Sequence, residues 1–340
     1  MKTIRWGMIG CGDVAEVKSG PAFYKAANST LVAVMRRNGA LAQEFAKRHD
    51  VPRWHDNADA IIEAEDIDAV YIATPTESHR GYALKCAAAG KAIYVEKPMA
   101  MNYAECCEMI GAARAHRVPL WVGFYRRLLP RFLRVKALVE EGAIGAVRLV
   151  TSEHCAPLTG PWAQPANGAS ARRVDPTVSG GGPVFDAACH TLDFLDFLFG
   201  PIEDIRGFAD NQAGAYQAED VATAGYRFAS GVYGSGAWCY AADRVYEMNE
   251  IVGARGRIHF STTRPVPIRL FRGDAVEEIP VADPPHVHQP LVESIIQELN
   301  GQGRCPSTGL SAARTAWVMD RLLGDFYPGR GRIGVDSARS

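Results

Sequence analysis

The stretch IRWGMIGCGDVA, residues 4–15, decides the fold. Its first six residues have the character of a buried strand, and they run into the pattern G-x-G-x-x-A, which is typical of a dinucleotide-binding turn. Gly10 permits the tight turn, Gly12 lets the backbone approach a pyrophosphate, and Ala15 lets the following helix pack closely on the sheet. The predicted cofactor contacts at this turn are Gly10, Cys11, Gly12, Asp13 and Val14.

Strands and helices continue to alternate as far as residue 123. Apolar strands at residues 30–34, 69–73 and 92–95 are separated by helical stretches, which predicts right-handed crossovers and a parallel sheet. Beyond Gly123 the pattern changes to strand-like segments separated by turn residues. The sequence therefore predicts an α/β fold with two domains. Residues 1–123 form a Rossmann-type, doubly wound parallel sheet, and residues 124–340 form an α+β domain with a mostly antiparallel sheet.

Composition excludes several kinds of partner. The 340 residues carry a formal net charge of -1, so no global field attracts nucleic acid or an acidic membrane surface. No apolar run has membrane-spanning length, and Met1 to Arg5 leads into a strand without the features of a signal peptide. Eight cysteines without a CxxC pair indicate a reducing compartment. We therefore expect a cytoplasmic protein.

One local basic run stands out against this neutral background. It consists of Arg126, Arg127, Arg131, Arg134 and Lys136. Their spacing is typical of the solvated face of an amphipathic helix at residues 130–141. We therefore expect these cations to face solvent.

The end of the second strand indicates which nicotinamide cofactor the chain binds. An NAD site usually has Asp or Glu here for the ribose 2′-hydroxyl, whereas this chain has Arg36 and Arg37. A guanidinium forms paired, charge-assisted hydrogen bonds with a phosphate dianion, so these residues predict NADP. In the alternative, Arg37 is a surface residue that stacks on adenine, and the chain binds NAD as well.

Two further strand ends are predicted to face the nucleotide. The backbone of Thr74-Pro75 should lie against the ribose or nicotinamide, and His79, in the next helical turn, could face the same cleft. Glu96-Lys97-Pro98 ends the strand at residues 92–95. Because ligands bind beyond the carboxyl ends of parallel strands, Lys97 can act on a bound substrate. The alternative is a solvated charged pair and a helix-surface histidine.

A second candidate cluster follows the triple glycine at residues 180–182. Asp186, His190 and Asp193 are spaced i, i+4 and i+7, so they share one helix face. A carboxylate one turn from a histidine can orient its ring and support it as a general acid or base. In the alternative, Asp193 pairs elsewhere and His190 is a satisfied core histidine. No third clustered His or Cys is nearby, so no metal site is predicted.

Together these features predict hydride transfer. A nicotinamide carries the hydride, and the protein must supply a proton acceptor and a group that polarises a carbonyl oxygen. Lys97 and His190 beside one oxygen would do both. Because they belong to different halves of the chain, the substrate would bind in the cleft between the domains.

These residues resemble a known family, the glucose–fructose oxidoreductase/inositol dehydrogenase/rhizopine-catabolism (Gfo/Idh/MocA) oxidoreductases. The resemblance covers essentially the whole chain, and the combination of Glu-Lys-Pro with D-x-x-x-H-x-x-D is specific. The stretches that carry it are residues 10–15, Ala73-Thr74-Pro75 with His79, Glu96-Lys97-Pro98, residues 123–127, and residues 180–182 followed by Asp186, His190 and Asp193.

The resemblance implies a large open sheet in the second domain, through which the chain would form a homodimer or homotetramer. It implies that Lys97 and His190 handle the proton with Asp186 assisting, and that the bond before Pro98 is often cis. It also implies that Glu96 and Lys97 lie at the cofactor. Family substrates are typically sugars, inositols and other polyols, and some members act on trans-dihydrodiols. Candidate substrate contacts are Tyr125, Arg126, Trp162, Arg173, Asp186 and His190.

The favoured function is an NADP(H)-dependent oxidoreductase that acts on a secondary alcohol or carbonyl of a sugar, inositol or cyclic diol. Two alternatives stay open. One is a nucleotide-dependent glycosidase that uses transient oxidation, and the other is a non-catalytic nucleotide sensor. The intact set of Lys97, Asp186 and His190 argues against the sensor, which would not need it.

Overall fold

The computed structural model describes residues 1–158 and 172–330. Its first sheet has six strands in the order β3-β2-β1-β4-β5-β6, and every neighbouring pair is parallel. The order reverses between β1 and β4, which opens a crevice at the carboxyl ends of these strands. This confirms the predicted Rossmann-type sheet. Its strands are β1 Ile4–Ile9, β2 Ser29–Met35, β3 Arg53–His55, β4 Ala69–Ile72, β5 Ala92–Val95 and β6 Leu120–Val122.

Helices cover both faces of this sheet. Every residue of β4 and β5 is buried, as expected for apolar strands of a parallel sheet between two helical layers. The surrounding helices are Asp13–Val17, Ala22–Lys25, Gly39–Arg48, Asp59–Ile62, His79–Ala88 and Tyr103–Ala115, with a 3-10 turn at Thr76–Ser78.

The second sheet has eight strands in the order β14-β13-β12-β11-β7-β10-β9-β8. Only β7 and β10 run parallel among these neighbours, so the predicted large, mostly antiparallel sheet is confirmed. Its strands are β7 Val147–Cys155, β8 Ile202–Asp210, β9 Val221–Phe228, β10 Tyr233–Cys239, β11 Tyr246–Gly253, β12 Arg257–Phe260, β13 Ile268–Arg272 and β14 Ala275–Ile279. Burial alternates along β9 and β10, which shows that one face is covered and the other faces solvent.

The helix Pro183–Phe199, here called the site helix, packs on the covered face of the second sheet against β9 and β10. A 3-10 turn at Tyr125–Leu128 joins the two units and also contacts the site helix. The other helices of this half are Pro130–Glu140, Pro176–Ser179, Gln289–Leu299 and Gly309–Leu322.

The last third of the chain returns to the first unit. Leu291 and Ile295, on the helix Gln289–Leu299, share a buried apolar cluster with Trp6 of β1. The division of the chain at residue 123 stays a prediction. Within the described ranges, we find no helix with the length and apolar character needed to cross a bilayer.

The basic run departs from its expected place. Arg126, Arg127 and Arg131 are only 9%, 2% and 4% exposed, so the expectation of a solvated face is wrong for them. They lie before or at the start of the helix Pro130–Glu140, where the chain passes through the interior and carbonyl or carboxylate oxygens accept their hydrogen bonds. Helical periodicity could not reveal those distant acceptors.

Candidate active site

The glycine-rich turn has the shape that a pyrophosphate requires. Gly10 has φ +99°, and a Cβ there would lie 2.6 Å from the Ala73 carbonyl oxygen. Gly12 precedes the helix Asp13–Val17, and no side chain at this position caps the first backbone N–H groups of the helix. A Cβ on Gly12 would meet nothing within 4 Å. The turn is therefore tight on one side and open on the other, where a dinucleotide would fit.

The side chains around the turn differ in exposure. Cys11 is buried, Val14 is half-buried and Asp13 is exposed, so Cys11 could contact a cofactor only through its backbone. Burial raises the pKa of the Cys11 thiol to about 11, although the nearby Arg36 guanidinium acts in the opposite direction. Arg36 therefore lies on the turn side of the end of β2, and Arg37 is exposed beside it.

His79 lies beneath the crevice and joins two strand ends. Its Nε2 is 2.8 Å from the Thr74 carbonyl oxygen, and its Nδ1 is 3.0 Å from the Pro98 carbonyl oxygen. Burial lowers the pKa of His79, and a neutral ring has only one N–H to donate. The neutral ring therefore donates to one of these two carbonyl oxygens and lies against the other, between the loops that contain Thr74-Pro75 and Pro98. Direct contact between His79 and the cofactor stays a prediction.

Glu96 points into the protein rather than toward the crevice. Its carboxylate accepts hydrogen bonds from the Tyr71 hydroxyl and, at 3.2 Å, from the backbone N–H of Lys97. It lies 3.5 Å from Nε2 of His288. The carboxylate thus fixes the backbone that carries Lys97, and the bond between Lys97 and Pro98 is cis. A direct cofactor contact by Glu96 stays a prediction.

Lys97 reaches across to the second unit. Its Nζ donates to Asp186 Oδ1 at 2.5 Å and to the Asp186 carbonyl oxygen at 3.1 Å. Burial would lower the pKa of Lys97, but the Asp186 carboxylate outweighs it, and the pKa is raised above its usual 10.5. The lysine is therefore a fixed cation at the boundary between the two units.

His190 follows Asp186 by one turn of the site helix. Burial lowers its pKa well below the usual 6.5, and the positive charges of Arg126 and Lys97 lower it further. Its Nδ1 is buried and has no hydrogen-bond partner within the described residues. The ring is therefore neutral near pH 7. It also lies close enough to Lys97 for the positive charge of that lysine to lower its pKa.

Asp193 completes the helical stripe but serves another purpose. It accepts hydrogen bonds from Arg127 Nε at 2.8 Å and Nη2 at 2.7 Å. Asp196, one turn away, binds Arg127 at 3.2 Å and Arg314 at 2.6 Å. The alternative in which Asp193 pairs elsewhere is confirmed, and this buried network fastens the site helix to the turn Tyr125–Leu128.

The other candidate substrate contacts differ in how near they lie to His190. The Tyr125 ring lies 5.9 Å from the His190 ring, and the Arg126 guanidinium lies over Tyr125 at 5.0 Å, so both are beside the histidine. Arg173 is exposed, and its substrate contact stays a prediction. Trp162 lies outside the described residues.

Two residues that the sequence reasoning missed complete the site. His288 accepts or donates a 2.7 Å hydrogen bond with the Tyr94 hydroxyl, and its ring lies 4.5 Å from that of Tyr125. The Thr262 carbonyl oxygen accepts a 2.9 Å hydrogen bond from Arg126. Neither residue belongs to a motif, so no sequence signal marked them.

Comparison with known proteins agrees with this geometry. Residues 4–124 match the oxidoreductase family with an NAD-binding Rossmann fold, and residues 132–259 match the Gfo/Idh/MocA C-terminal domain. The chain belongs to the Gfo/Idh/MocA family. It is therefore an oxidoreductase with an NAD-binding domain, and the predicted resemblance is confirmed.

Several relatives of this Gfo/Idh/MocA enzyme span nearly its whole length. An oxidoreductase of Formosa agariphila is 39% identical over 323 residues, covering 94% of this chain and 98% of that protein. Inositol 2-dehydrogenase of Rhizobium meliloti is 30% identical over 290 residues, covering 83% and 82%. Trans-1,2-dihydrobenzene-1,2-diol dehydrogenase of Danio rerio is 28% identical over 342 residues, covering 98% and 97%. A levoglucosan dehydrogenase solved with NADH and levoglucosan shares the fold, with TM-score 0.82 and 23% identity, over 94% of this chain and 96% of that chain.

Proposed function

We propose that this oxidoreductase uses NADP(H) to interconvert a secondary alcohol and a carbonyl on a sugar, inositol or cyclic diol. One observation carries the proposal: Lys97 Nζ, at a strand end of the nucleotide sheet, lies 2.5 Å from Asp186 Oδ1, one helical turn before His190. A cation and a neutral imidazole therefore belong to one cleft beside the dinucleotide crevice. The names of the inositol and diol dehydrogenases among its relatives support the substrate class.

The proton chemistry follows from the charges of these side chains. Lys97, kept protonated by Asp186, stabilises negative charge on the substrate oxygen. The neutral His190 ring takes the hydroxyl proton during oxidation and returns it during reduction. Asp186 does not need to contact substrate for this, since its effect is to hold the lysine in place and charged.

The cofactor would be held along the carboxyl ends of β1, β2 and β4. The turn around Gly10 and Gly12 would take the pyrophosphate, and Thr74-Pro75 would lie against the ribose or nicotinamide. Arg36 and Arg37 would bind a 2′-phosphate, which supports NADP over NAD. When bound, the nicotinamide supplies or accepts the hydride.

The open face of the second sheet supports a proposal about assembly. Phe208 is 79% exposed and Tyr233 is 60% exposed on this face, and both lie on strands whose other face is covered. We propose a homodimer or homotetramer that covers them. All eight cysteines are free, which supports a cytoplasmic location.

Replacing Lys97 tests the proposed chemistry. Lys97→Ala should reduce NADP-dependent oxidation of a polyol and dihydrodiol panel by at least ~100-fold, because the oxygen loses its cationic partner. Binding of NADP should change little, which nucleotide fluorescence can measure. Lys91→Ala, a buried lysine bound to the Ala64 and Ile67 carbonyl oxygens away from the cleft, is the matched control. Unchanged turnover in Lys97→Ala would refute the role. Turnover without net NADPH formation would indicate the glycosidase instead.

A further inference from the structure

Among the residues that the structure describes, Arg126 is a buried cation without a counter-charge. It is 9% exposed, and its one hydrogen bond to a described residue runs from Nε to the Thr262 carbonyl oxygen at 2.9 Å. Its Nη1 is buried without a partner among the described residues. No described carboxylate forms an ion pair with it, whereas Arg127 and Arg131 each have one.

Three other cations of this region have carboxylate partners. Lys97 pairs with Asp186 at 2.5 Å, Arg127 pairs with Asp193 at 2.7 Å, and the guanidinium of Arg131 lies 3.2 Å from Asp283. A buried charge that lacks a partner is costly to a fold. Arg126 therefore differs from these three cations, because it has no carboxylate partner among the described residues. A bound anion would supply the missing negative charge.

The position of Arg126 points to the substrate rather than to the structural core. Its guanidinium carbon lies 5.0 Å from the Tyr125 ring, which in turn lies 5.9 Å from the His190 ring. Thr262, which holds Arg126, also bonds Thr191 at 3.1 Å, the residue after His190. Thr262 thus bonds both Arg126 and Thr191, the residue that follows the proposed base His190.

We infer that Arg126 binds a carboxylate of the substrate, so that the preferred substrates are sugar acids rather than neutral sugars or polyols. This inference rests on the proposed function and narrows its substrate class. A guanidinium offers two parallel N–H donors that match a planar carboxylate. The carboxylate would be a few bonds from the hydroxyl that is oxidised, because Arg126 and His190 both lie beside the Tyr125 ring. A neutral polyol would leave the arginine charge unpaired.

Matched acid and neutral pairs test the inference. The pairs are D-glucuronate with D-glucose, D-galacturonate with D-galactose, and D-gluconate with D-glucitol, each assayed with NADP. The wild type should prefer at least one acid to its neutral partner by roughly tenfold or more in kcat/KM. Arg126→Gln should abolish that preference while changing neutral turnover less. Arg126→Lys should retain part of it, and Arg134→Gln, at a half-buried arginine that pairs with Glu141, should leave it intact.

Binding separates this inference from the proposed function. Thermal stabilisation by each acid, measured with NADP present, requires no turnover. Acid-specific stabilisation that disappears in Arg126→Gln supports the inference even if no substrate is oxidised. Equal effects of acid and neutral partners, no acid-specific effect with any pair, or an unchanged preference in Arg126→Gln would overturn it. A loss of NADP affinity in Arg126→Gln would assign the guanidinium to the cofactor's phosphates and also overturn it.

Discussion

Lys97 and His190 reach opposite protonation states through the same burial. Desolvation opposes the charge on both groups, but only the lysine has a carboxylate beside it. Asp186 therefore keeps Lys97 charged, while His190, facing cations, stays neutral. The ion pair between Lys97 and Asp186 thus makes Lys97 the residue that can polarise an oxygen, and it leaves His190 as the residue that can accept a proton.

The pH dependence of oxidation should reflect these states. Because the pKa of folded His190 lies well below 6.5 and that of Lys97 lies above 10.5, neither group titrates between these values. We expect kcat/KM to be flat from pH 9 to below pH 6.5, with the acid limb only where the imidazole finally protonates. The profile of NADP binding over the same range is the control. An inflection at pH 6.5 in kcat/KM alone would mean that the ring is solvated.

The proposed preference for NADP also depends on single side chains. Arg36→Gln should raise the Kd for NADP by roughly tenfold or more, since one charge-assisted hydrogen bond is worth about 1.5–3 kcal/mol. The Kd for NAD should change little, because NAD has no 2′-phosphate. The surface arginine Arg80, which pairs with Glu108, provides the matched control Arg80→Gln. If the wild type binds NADP and NAD equally, both Arg36 and Arg37 point elsewhere.

Among the elements, the site helix determines whether these side chains meet. It is apolar on most faces and buried along nearly its whole length, so polar groups on it need partners. Asp193 and Asp196 find theirs in Arg127 and Arg314. The network fixes the axial position of the helix against the turn Tyr125–Leu128, and thereby the position of His190 near Tyr125.

Removing the centre of that network should destabilise the fold. Arg127→Met leaves Asp193 without its buried partner, which we expect to cost about 3–5 kcal/mol of unfolding free energy. Urea denaturation would measure the loss. The half-buried Arg134, which pairs with Glu141 at 3.4 Å, gives the control Arg134→Met, where the change should stay within about 0.5 kcal/mol. Equal effects of the two variants would mean that the buried network contributes no more than a surface pair.

At the scale of the whole molecule, the second sheet has two different faces. Its covered face carries the site helix, and its open face leaves Phe208 and Tyr233 exposed. Exposed aromatic side chains on the open face of a sheet are candidates for burial by a partner. Assembly through this face would leave the crevice of the first sheet and the cleft around Lys97 untouched.

If the proposed oligomer forms through that face, a charge on it should dissociate the oligomer without stopping catalysis. Phe208→Asp is expected to shift the mass measured by light scattering toward that of the monomer, 36.9 kDa, because an unpaired carboxylate would be buried at the interface. Leu133→Asp, an exposed apolar position on the helix Pro130–Glu140, is the control. A wild type that is already monomeric would refute the proposed assembly.

Local patterns accounted for most of the elements. The glycine turn, the apolar β4 and β5, and the alternating β9 were all readable because each pattern reports its own environment. The strand β14 was missed because it is exposed almost throughout, so no alternation between buried and exposed residues marks it. The basic run was misjudged for the opposite reason: its spacing fits an exposed face, while its acceptors lie far away in sequence.

The sequence by itself determined the fold class and the position of the dinucleotide turn, and it indicated Lys97, Asp186 and His190 as candidate site residues. It could do so because strand and helix periodicities and short motifs are properties of neighbouring residues. Only the tertiary structure decided that Asp186 pairs with Lys97 and that Arg127 takes Asp193. It also decided that Arg126 is buried without a carboxylate partner among the described parts of the chain. These outcomes depend on which distant side chains meet in a low-dielectric interior, and the free energy of a charge there is set by those neighbours rather than by its place in the chain.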